Sequence, residues 1–229
     1  MKNLAIIPAR KGSKGIPNKN IKKIAGKPLI AWTIESALQS KNVSRVIVST
    51  DCEHIAEISK QYGAEVPFLR PAYLASDTSA TEPVVSHTLK WLKEEDYYIP
   101  DNIILLQCTS PFRNKKSIDN AINEFTISQA DSLLSLSEFW HFLWENKSEP
   151  CALYDFNNRP RRQDVNTESI KYKENGSIYI TKTSMFVKHK NRLCGKIASY
   201  VMSEAESFEI DNQLDWLILE SILKHWKAE

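Results

Sequence analysis

Short apolar runs alternate with longer amphipathic segments through more than half of the chain, and this alternation constrains the fold more than any other feature. The runs at 4–7, 46–49, 66–69, 103–106 and 132–136 predict buried strands. The segments at 28–39, 52–62, 82–94 and 115–126 predict helices. Strands that are apolar on both faces and separated by helices favour a parallel sheet covered by helices. The sequence therefore predicts an α/β fold with a mostly parallel sheet and helices on both faces.

The pattern changes at Glu138. From 138 to 175 the chain is aromatic and basic and contains Pro150 and Pro160, which predicts an irregular inserted arm. Core strands are expected at 177–180 and 199–202, and a last helix at 213–227. We see no internal repeat or linker and expect a single domain, 1–229. The aromatic content of the arm favours a surface that something covers, either as a lid or as an arm that reaches a second subunit.

Composition and charge exclude several classes of protein. The 42% hydrophobic content is too high for disorder, and 30 Lys and Arg against 28 Asp and Glu leave a net charge of only +2. That balance gives no general attraction to nucleic acid or to an anionic membrane. No apolar run approaches the ~20 residues of a membrane span, and the first run is short for a signal peptide. The four cysteines form no C-x-x-C pair, so we expect free thiols in a soluble, cytoplasmic protein.

The loop after the first predicted strand has the composition of an anion site. Residues 7–20 hold two glycines, a serine and four cations. Ligands of open α/β sheets bind at the carboxyl ends of strands, where backbone N–H groups and cations suit a polyphosphate. A basic surface turn is the alternative, but Arg10, Lys14 and Lys19 would repel one another without an anion. The loop matches neither the Walker A pattern nor the dinucleotide fingerprint, which argues against a dinucleotide-dependent oxidoreductase.

Six blocks in order resemble the acylneuraminate cytidylyltransferases, the CMP-sialic acid synthetase family. They lie at 7–20, 69–79, 105–113, 159–164, 174–179 and 207–215, so the resemblance covers nearly the whole chain. It implies a Rossmann-like nucleotidyltransferase sheet with a dimerisation arm at 138–175, and a homodimer. It also implies that CTP and a nine-carbon 2-keto sugar acid, such as sialic acid or legionaminate, give a CMP-linked acid and pyrophosphate.

The resemblance also implies roles for individual residues. The residues implied for the nucleotide are Arg10, Ser13, Lys19, Asn20, Arg70 and Gln107. Those implied for the sugar acid are Gln107, Arg161, Arg162, Gln163, Lys173 and Asn175. Glu209 and Asp211 would bind Mg²⁺, and the catalytic set would be Arg10, Lys19, Arg161 and Asp211. Arginine suits the sugar carboxylate because it binds carboxylates through two parallel hydrogen bonds. Carboxylates and triphosphate oxygens together form a hard-oxygen site that suits Mg²⁺.

Three residues depart from the family pattern. Lys173 stands where the family more often has Arg, Glu209 where most members have Asp, and Cys108 where many have Pro. We expect Cys108 to be a packed thiol and not a nucleophile, because the reaction needs none. Without the resemblance, Glu209 and Asp211 would be interpreted as an acidic pair that complements the dipole of the last helix. A 3-deoxy-octulosonate cytidylyltransferase and a non-catalytic CTP-binding module are the alternative functions.

Overall fold

The computed structural model describes residues 1–13, 15–161 and 170–225. In chain order the strands are β1 Asn3–Pro8, β2 Lys23–Ile24, β3 Lys27–Pro28, β4 Arg45–Ser49, β5 Asn102–Leu106, β6 Ser132–Phe139, β7 Trp144–Glu145, β8 Cys151–Ala152, β9 Lys171–Lys182 and β10 Ile197–Met202. The helices are α1 Leu29–Gln39, α2 Glu53–Gln61, α3 Thr81–Glu95, α4 Ser117–Ile127, α5 Thr183–His189 and α6 Gln213–His225.

Six of these strands form one sheet in the order β10-β6-β9-β5-β1-β4. Strand β1 pairs in parallel with β4 and β5, and β10 pairs in parallel with β6. Strand β9 is antiparallel to both of its neighbours. The predicted mostly parallel sheet is therefore confirmed, with one antiparallel strand inside it. Strand β9 follows β6 through the arm and not through a crossover helix, so it returns in the opposite direction.

Both faces of the sheet are covered, as predicted. Along β1, Ala5 and Ile7 belong to one core, whereas Leu4 and Ile6 belong to the other, because successive side chains of a strand point to opposite faces. Helices α1, α2 and α4 pack on the first core, and α3 and α5 on the second. A third cluster joins α6 to the loop after β1 through residues that include Ile16, Ile210 and Trp216. That cluster holds the C-terminal acidic block beside the loop.

The structure corrects one secondary-structure prediction and adds a helix that the sequence did not predict. The run at 66–69 is not a strand: its surroundings make only isolated bridges, Ile47 with Glu65 and Thr50 with Leu69. Pro67 has no N–H to donate, which prevents a continuous ladder. Helix α5 was not predicted, because its seven residues are too few to show a helical period.

The arm is more regular at its base than predicted. Strands β6 and β9 continue to pair into the segment, as far as Phe139 with Lys171, and β7 pairs with β8. The arm at 138–175 is thus partly an extension of the β6–β9 pair. The single domain and the dimerisation role of the arm stay predictions. Within the described ranges, no helix is both long and apolar enough to cross a membrane.

Candidate active site

A cavity of about 470 Å³ lies at the carboxyl ends of β1 and β5. Seven residues predicted for the site line it: Arg10, Ser13, Lys19, Asn20, Arg70, Gln107 and Asp211. We call this cavity the crevice. All the residues predicted for the nucleotide therefore meet in one place, together with one of the two carboxylates predicted for the metal.

Arg10 is held by the loop that precedes α3. Its Nη1 atom lies 2.9 Å from Asp77 Oδ1 and donates a 2.7 Å hydrogen bond to the carbonyl of Ser76. The Asn20 amide donates to the Arg10 carbonyl at 3.0 Å, so Asn20 also fixes the shape of the loop. The Lys11 N–H donates to Asp51 Oδ1 at 2.9 Å. The loop after β1 is therefore attached on two sides before any ligand binds.

Lys19 connects this loop to the C-terminal acidic block. Its Nζ atom donates to the Ile210 carbonyl at 2.7 Å and lies 3.9 Å from Asp211 Oδ1. Burial lowers the pKa of the Lys19 ammonium, and the nearby Asp211 carboxylate partly offsets this. At Gly15 an added Cβ would lie 2.0 Å from the carbonyl oxygen of Asp211. The two segments are thus in direct backbone contact, which only glycine permits at that position.

Arg70 is 5% exposed and lines the crevice. Its Nη2 atom lies 3.7 Å from Asp51 Oδ1, too far for a hydrogen bond. In the described part of the protein, neither Nε nor Nη2 of Arg70 has a hydrogen-bond partner. Burial lowers the pKa of this guanidinium. Unsatisfied donors on a buried cation that faces a cavity indicate a place for a ligand acceptor.

The side chains of Glu209 and Gln107 both pack against Gly176. Gly176 has a φ of +62°, and a Cβ there would lie 2.5 Å from Glu209 Oε1 and 2.8 Å from Gln107 Oε1. Burial raises the pKa of Glu209, and Asp211 raises it further, whereas Lys173 lowers it. The Asp215 carboxylate accepts from the N–H groups of Asp211 and Asn212, which fixes the acidic segment at the start of α6.

The two carboxylates fit a magnesium ion only in part. Carboxylate oxygens are what Mg²⁺ prefers, and Glu209 and Asp211 lie two residues apart in the segment before α6. Across the residues that the structure describes, no group of three or more His, Cys, Asp or Glu side chains could hold a metal. The other ligands would have to come from phosphate oxygens and water, which is usual for Mg²⁺.

The predicted contact between Asn175 and the sugar acid is corrected. The Asn175 side chain is fully buried. Its Oδ1 atom accepts from Ser135 Oγ at 2.6 Å and from the Ser177 N–H at 3.2 Å, and its Nδ2 atom donates to Ser207 Oγ at 2.9 Å. These bonds tie β9 to β6 and to the turn after β10, so Asn175 has a structural role.

The other residues predicted for the sugar acid are not assembled in the described part of one chain. Arg161 and Lys173 are exposed and do not line the crevice, although Lys173 is close enough to Glu209 to lower its pKa. Arg162 and Gln163 lie outside the described residues. The structure therefore brings together the residues predicted for the nucleotide but not those predicted for the sugar acid alone.

Cys108 is the packed thiol that the sequence predicts. It is 3% exposed, and burial raises the pKa of the thiol to about 12. A thiol that stays protonated at neutral pH is a poor nucleophile.

Four residues of the site were not predicted from the sequence: Asp51, Asp77, Arg113 and Gly176. The last three lie in the resembling blocks, and a lone glycine inside a strand pattern signals a bulge or a close approach. Asp51 gave no such signal, since its partners are distant in the sequence.

The fold and the crevice together define a Rossmann-like α/β protein with a cationic ligand site at the carboxyl edge of its sheet. A family model described as "Cytidylyltransferase" matches residues 4–225. CMP-N,N'-diacetyllegionaminic acid synthase of Legionella pneumophila is 37% identical over 232 residues, which cover 98% of this chain and 97% of that protein. The chain belongs to the cytidylyltransferase family, as the six blocks predict.

Two further comparisons agree. Pseudaminic acid cytidylyltransferase of Campylobacter jejuni is 33% identical over 210 residues, which cover 85% of this chain and 90% of that protein. A solved CMP:2-keto-3-deoxy-manno-octonic acid synthetase in complex with CTP has a TM-score of 0.72 at 16% identity, and the match covers 98% of this chain and 99% of that one. At that identity the solved structure supports the fold alone.

Proposed function

We propose that this protein transfers CMP from CTP to the 2-hydroxyl of a nine-carbon 2-keto sugar acid and releases pyrophosphate. The observation that carries the proposal is the convergence of Arg10, Lys19, Arg70 and Asp211 on one crevice. The relatives named as diacetyllegionaminic acid synthase and pseudaminic acid cytidylyltransferase support a substrate of this class.

The triphosphate would bind against the loop after β1. Nucleotidyl transfer depends on neutralised charge and a positioned nucleophile, and both act in the transition state. Arg10 and Lys19 would balance the charge that develops on the departing pyrophosphate, and Ser13 with the loop N–H groups would complete the cradle. A bound triphosphate would compete with Asp77 for Arg10, because Arg10 and Asp77 form an ion pair in this structure.

The nucleoside would lie towards Arg70. Its unsatisfied Nε and Nη2 atoms offer two donors at the wall of the crevice, and a cytidine carries the acceptors to meet them. Asn20 supports the same wall through its bond to the Arg10 carbonyl. Gln107, which also lines the crevice, would contact the ribose or the sugar acid.

We propose that Mg²⁺ binds beside Glu209 and Asp211. When bound, the ion would supply positive charge next to the α-phosphate. Asp211 is exposed at the crevice and lies 3.9 Å from the Lys19 ammonium. Lys19 would therefore keep this carboxylate facing the phosphates, while Glu209 approaches from the Gly176 side.

The sugar acid would be held by the arm and by Lys173. Arg161, Arg162 and Gln163 would supply donors for its carboxylate. Trp144 and Phe156 of the arm are 51% and 59% exposed, and aromatic surface of this kind is often covered in an assembly. We propose a homodimer in which the arm reaches the crevice of the partner subunit. A reaction that consumes CTP also fits the cytoplasmic location expected from the sequence.

The test is product formation from CTP, Mg²⁺ and a panel of acids, with mass spectrometry of CMP-linked products and a pyrophosphate assay. The panel holds N-acetylneuraminate, a legionaminate, a pseudaminate and 3-deoxy-octulosonate. We expect a CMP-linked nine-carbon acid. Product from the octulosonate alone would refute the substrate class, and tight CTP binding without turnover would indicate a binding module.

A pair of variants in one loop controls the assay. Arg10→Ala removes a cation that lines the crevice, whereas Lys11→Ala removes an exposed cation next to it and keeps the backbone bond to Asp51. We expect only Arg10→Ala to lose turnover. Equal losses of turnover in both variants would mean that the positive charge of the loop as a whole, and not the position of Arg10 in the crevice, attracts the nucleotide.

A further inference from the structure

Arg113 carries a buried charge that the proposed reaction does not use. It lies between β5 and α4 and is 8% exposed. Among the residues that the structure describes, no carboxylate forms an ion pair with it. Burial lowers the pKa of its guanidinium to about 10, so it stays charged at neutral pH. Burying a charge without an ion pair is unfavourable, so the Glu206 carboxylate, which raises this pKa, and the hydrogen bonds of Nη1 and Nη2 must offset that cost.

Its hydrogen bonds join two strands where they stop pairing. The β5–β9 ladder ends at Leu106 with Ile178. Beyond that pair, Arg113 Nη2 donates to the carbonyl of Gln107 at 3.0 Å and to the carbonyl of Ser177 at 2.7 Å. Its Nη1 atom donates to Thr33 Oγ1 on α1 at 3.2 Å. The guanidinium thus replaces the next step of the ladder and sets the separation of the two strand ends.

Each of these carbonyls belongs to a part of the site. The Gln107 side chain lines the crevice. Ser177 follows Gly176, beside which Glu209 Oε1 and Gln107 Oε1 both lie. The separation that Arg113 sets is therefore the separation between Gln107 and the bend that contacts Glu209.

We propose that Arg113 is a positioning residue that holds Gln107 and the Gly176 bend at the spacing needed for the sugar acid to meet the α-phosphate. This inference rests on the proposed function. Arg113 acts through the two carbonyls and does not contact substrate. CTP itself would be held mainly by Arg10, Lys19 and Arg70, none of which is hydrogen-bonded to Arg113 within the described residues. Of the two contacts open to Gln107, only the one with the sugar acid is part of this role. Loss of the guanidinium should therefore lower the rate of the chemical step and leave the affinity for CTP nearly unchanged.

The test compares Arg113→Lys with Thr33→Val. A lysine ammonium keeps the charge but cannot reproduce the planar fork that reaches both carbonyls and Thr33. We expect Arg113→Lys to lower kcat with the preferred acid by about 10²-fold, the size of effect that a misplacement of about 1 Å produces. The Kd for CTP, from calorimetry below the melting temperature, should change less than about threefold, well under the tenfold that 1.4 kcal/mol gives.

Thr33→Val is the matched control, because it removes the bond on the α1 side and leaves both strand carbonyls bound. It should lower the melting temperature and leave kcat and the Kd for CTP near the wild-type values. If Arg113→Lys does not fold, Arg113→Gln, whose shorter amide lacks the charge, is held to the same two criteria.

Three results would overturn the inference. One is wild-type kcat in Arg113→Lys. Another is a loss of kcat matched by an equal loss of CTP-binding stoichiometry, which would show a purely structural role. The third is a wild-type protein that turns over no acid, because the proposed function then fails and the role of Arg113 fails with it. If the wild type is active and only the first or second result is found, the role of Arg113 fails and the proposed function stands.

Discussion

The contact between Gly15 and Asp211 allows a sharp test of how the site is assembled. In Gly15→Ala the new Cβ would lie 2.0 Å from the Asp211 carbonyl oxygen and 3.3 Å from its carbon, both backbone atoms. Ordinary contact begins at 3.4 Å, so the segments must separate by roughly 1.4 Å, the difference between 3.4 and 2.0 Å. Overpacking of this kind destabilises by about 1–3 kcal/mol.

The same displacement strains the bonds that join the two segments. Lys19 of the loop donates to the Ile210 carbonyl of the acidic block at 2.7 Å. The acidic block is also held from the loop after β5, where the Thr109 carbonyl accepts from the Ile210 N–H at 2.8 Å. Loss of a hydrogen bond to a charged group removes about 1.5–3 kcal/mol. We therefore expect Gly15→Ala to lower the free energy of unfolding by about 2.5–6 kcal/mol and the melting temperature by on the order of 10 °C.

Gly12→Ala is the matched control for stability, because a Cβ at Gly12 meets nothing within 4 Å. It should shift the free energy of unfolding by no more than about 0.5 kcal/mol. The assay is a thermal melt of the two variants and the wild type, followed by calorimetry of CTP binding to Gly15→Ala. Equal melting temperatures for Gly15→Ala and Gly12→Ala would refute the contact between the loop and the acidic block.

Four other changes have distinct expected outcomes. Arg10→Ala should lower turnover by about 10³-fold, since it removes charge stabilisation of the leaving group; a wild-type rate of pyrophosphate release would contradict the clamp. Asp211→Asn should abolish the dependence of turnover on Mg²⁺, measured by titrating the ion, and a retained dependence would place the metal elsewhere. Cys108→Ala should keep turnover. Because the raised pKa, about 12, keeps the Cys108 thiol protonated at pH 8, iodoacetamide should modify it only in urea, as peptide mass mapping would show; modification of the folded protein would contradict its burial. Asn175→Ala should lower the free energy of unfolding by about 1–3 kcal/mol in urea titrations, and an effect on the KM for the sugar acid alone would restore a direct contact.

The predicted strands and helices are confirmed where the local sequence pattern reflects the burial of the segment in the fold. Strands β1, β4 and β5 are apolar on both faces because helices cover both faces, and the apolar runs show this directly. The run at 66–69 is equally apolar but lies before Arg70 at the edge of the sheet, where Pro67 prevents pairing. The antiparallel direction of β9 depends on the path of the arm, which periodicity cannot show.

The residues of the site also fall into those that the sequence could predict and those that it could not. The resemblance assigned the nucleotide residues, and the strand pattern independently marked the loop after β1 as an anion site, because ligands of open α/β sheets bind at the carboxyl ends of the strands. Asn175 was assigned to the sugar acid by resemblance alone, whereas its amide is bonded to Ser135, Ser177 and Ser207 beside the bend at Gly176. The partners of Arg10, Lys19 and Arg113 lie far away in the sequence, so no local pattern could reveal them.

A crystal structure of the protein with CTP and Mg²⁺ would show whether the triphosphate binds between Arg10 and Lys19. We expect phosphate oxygens within about 3 Å of Arg10 and Lys19, as charge-assisted hydrogen bonds require, and Asp77 displaced from Arg10. We also expect the ion beside Asp211. Nucleotide bound elsewhere, with the Arg10–Asp77 pair intact and no ligand in the crevice, would contradict a triphosphate site at the loop after β1.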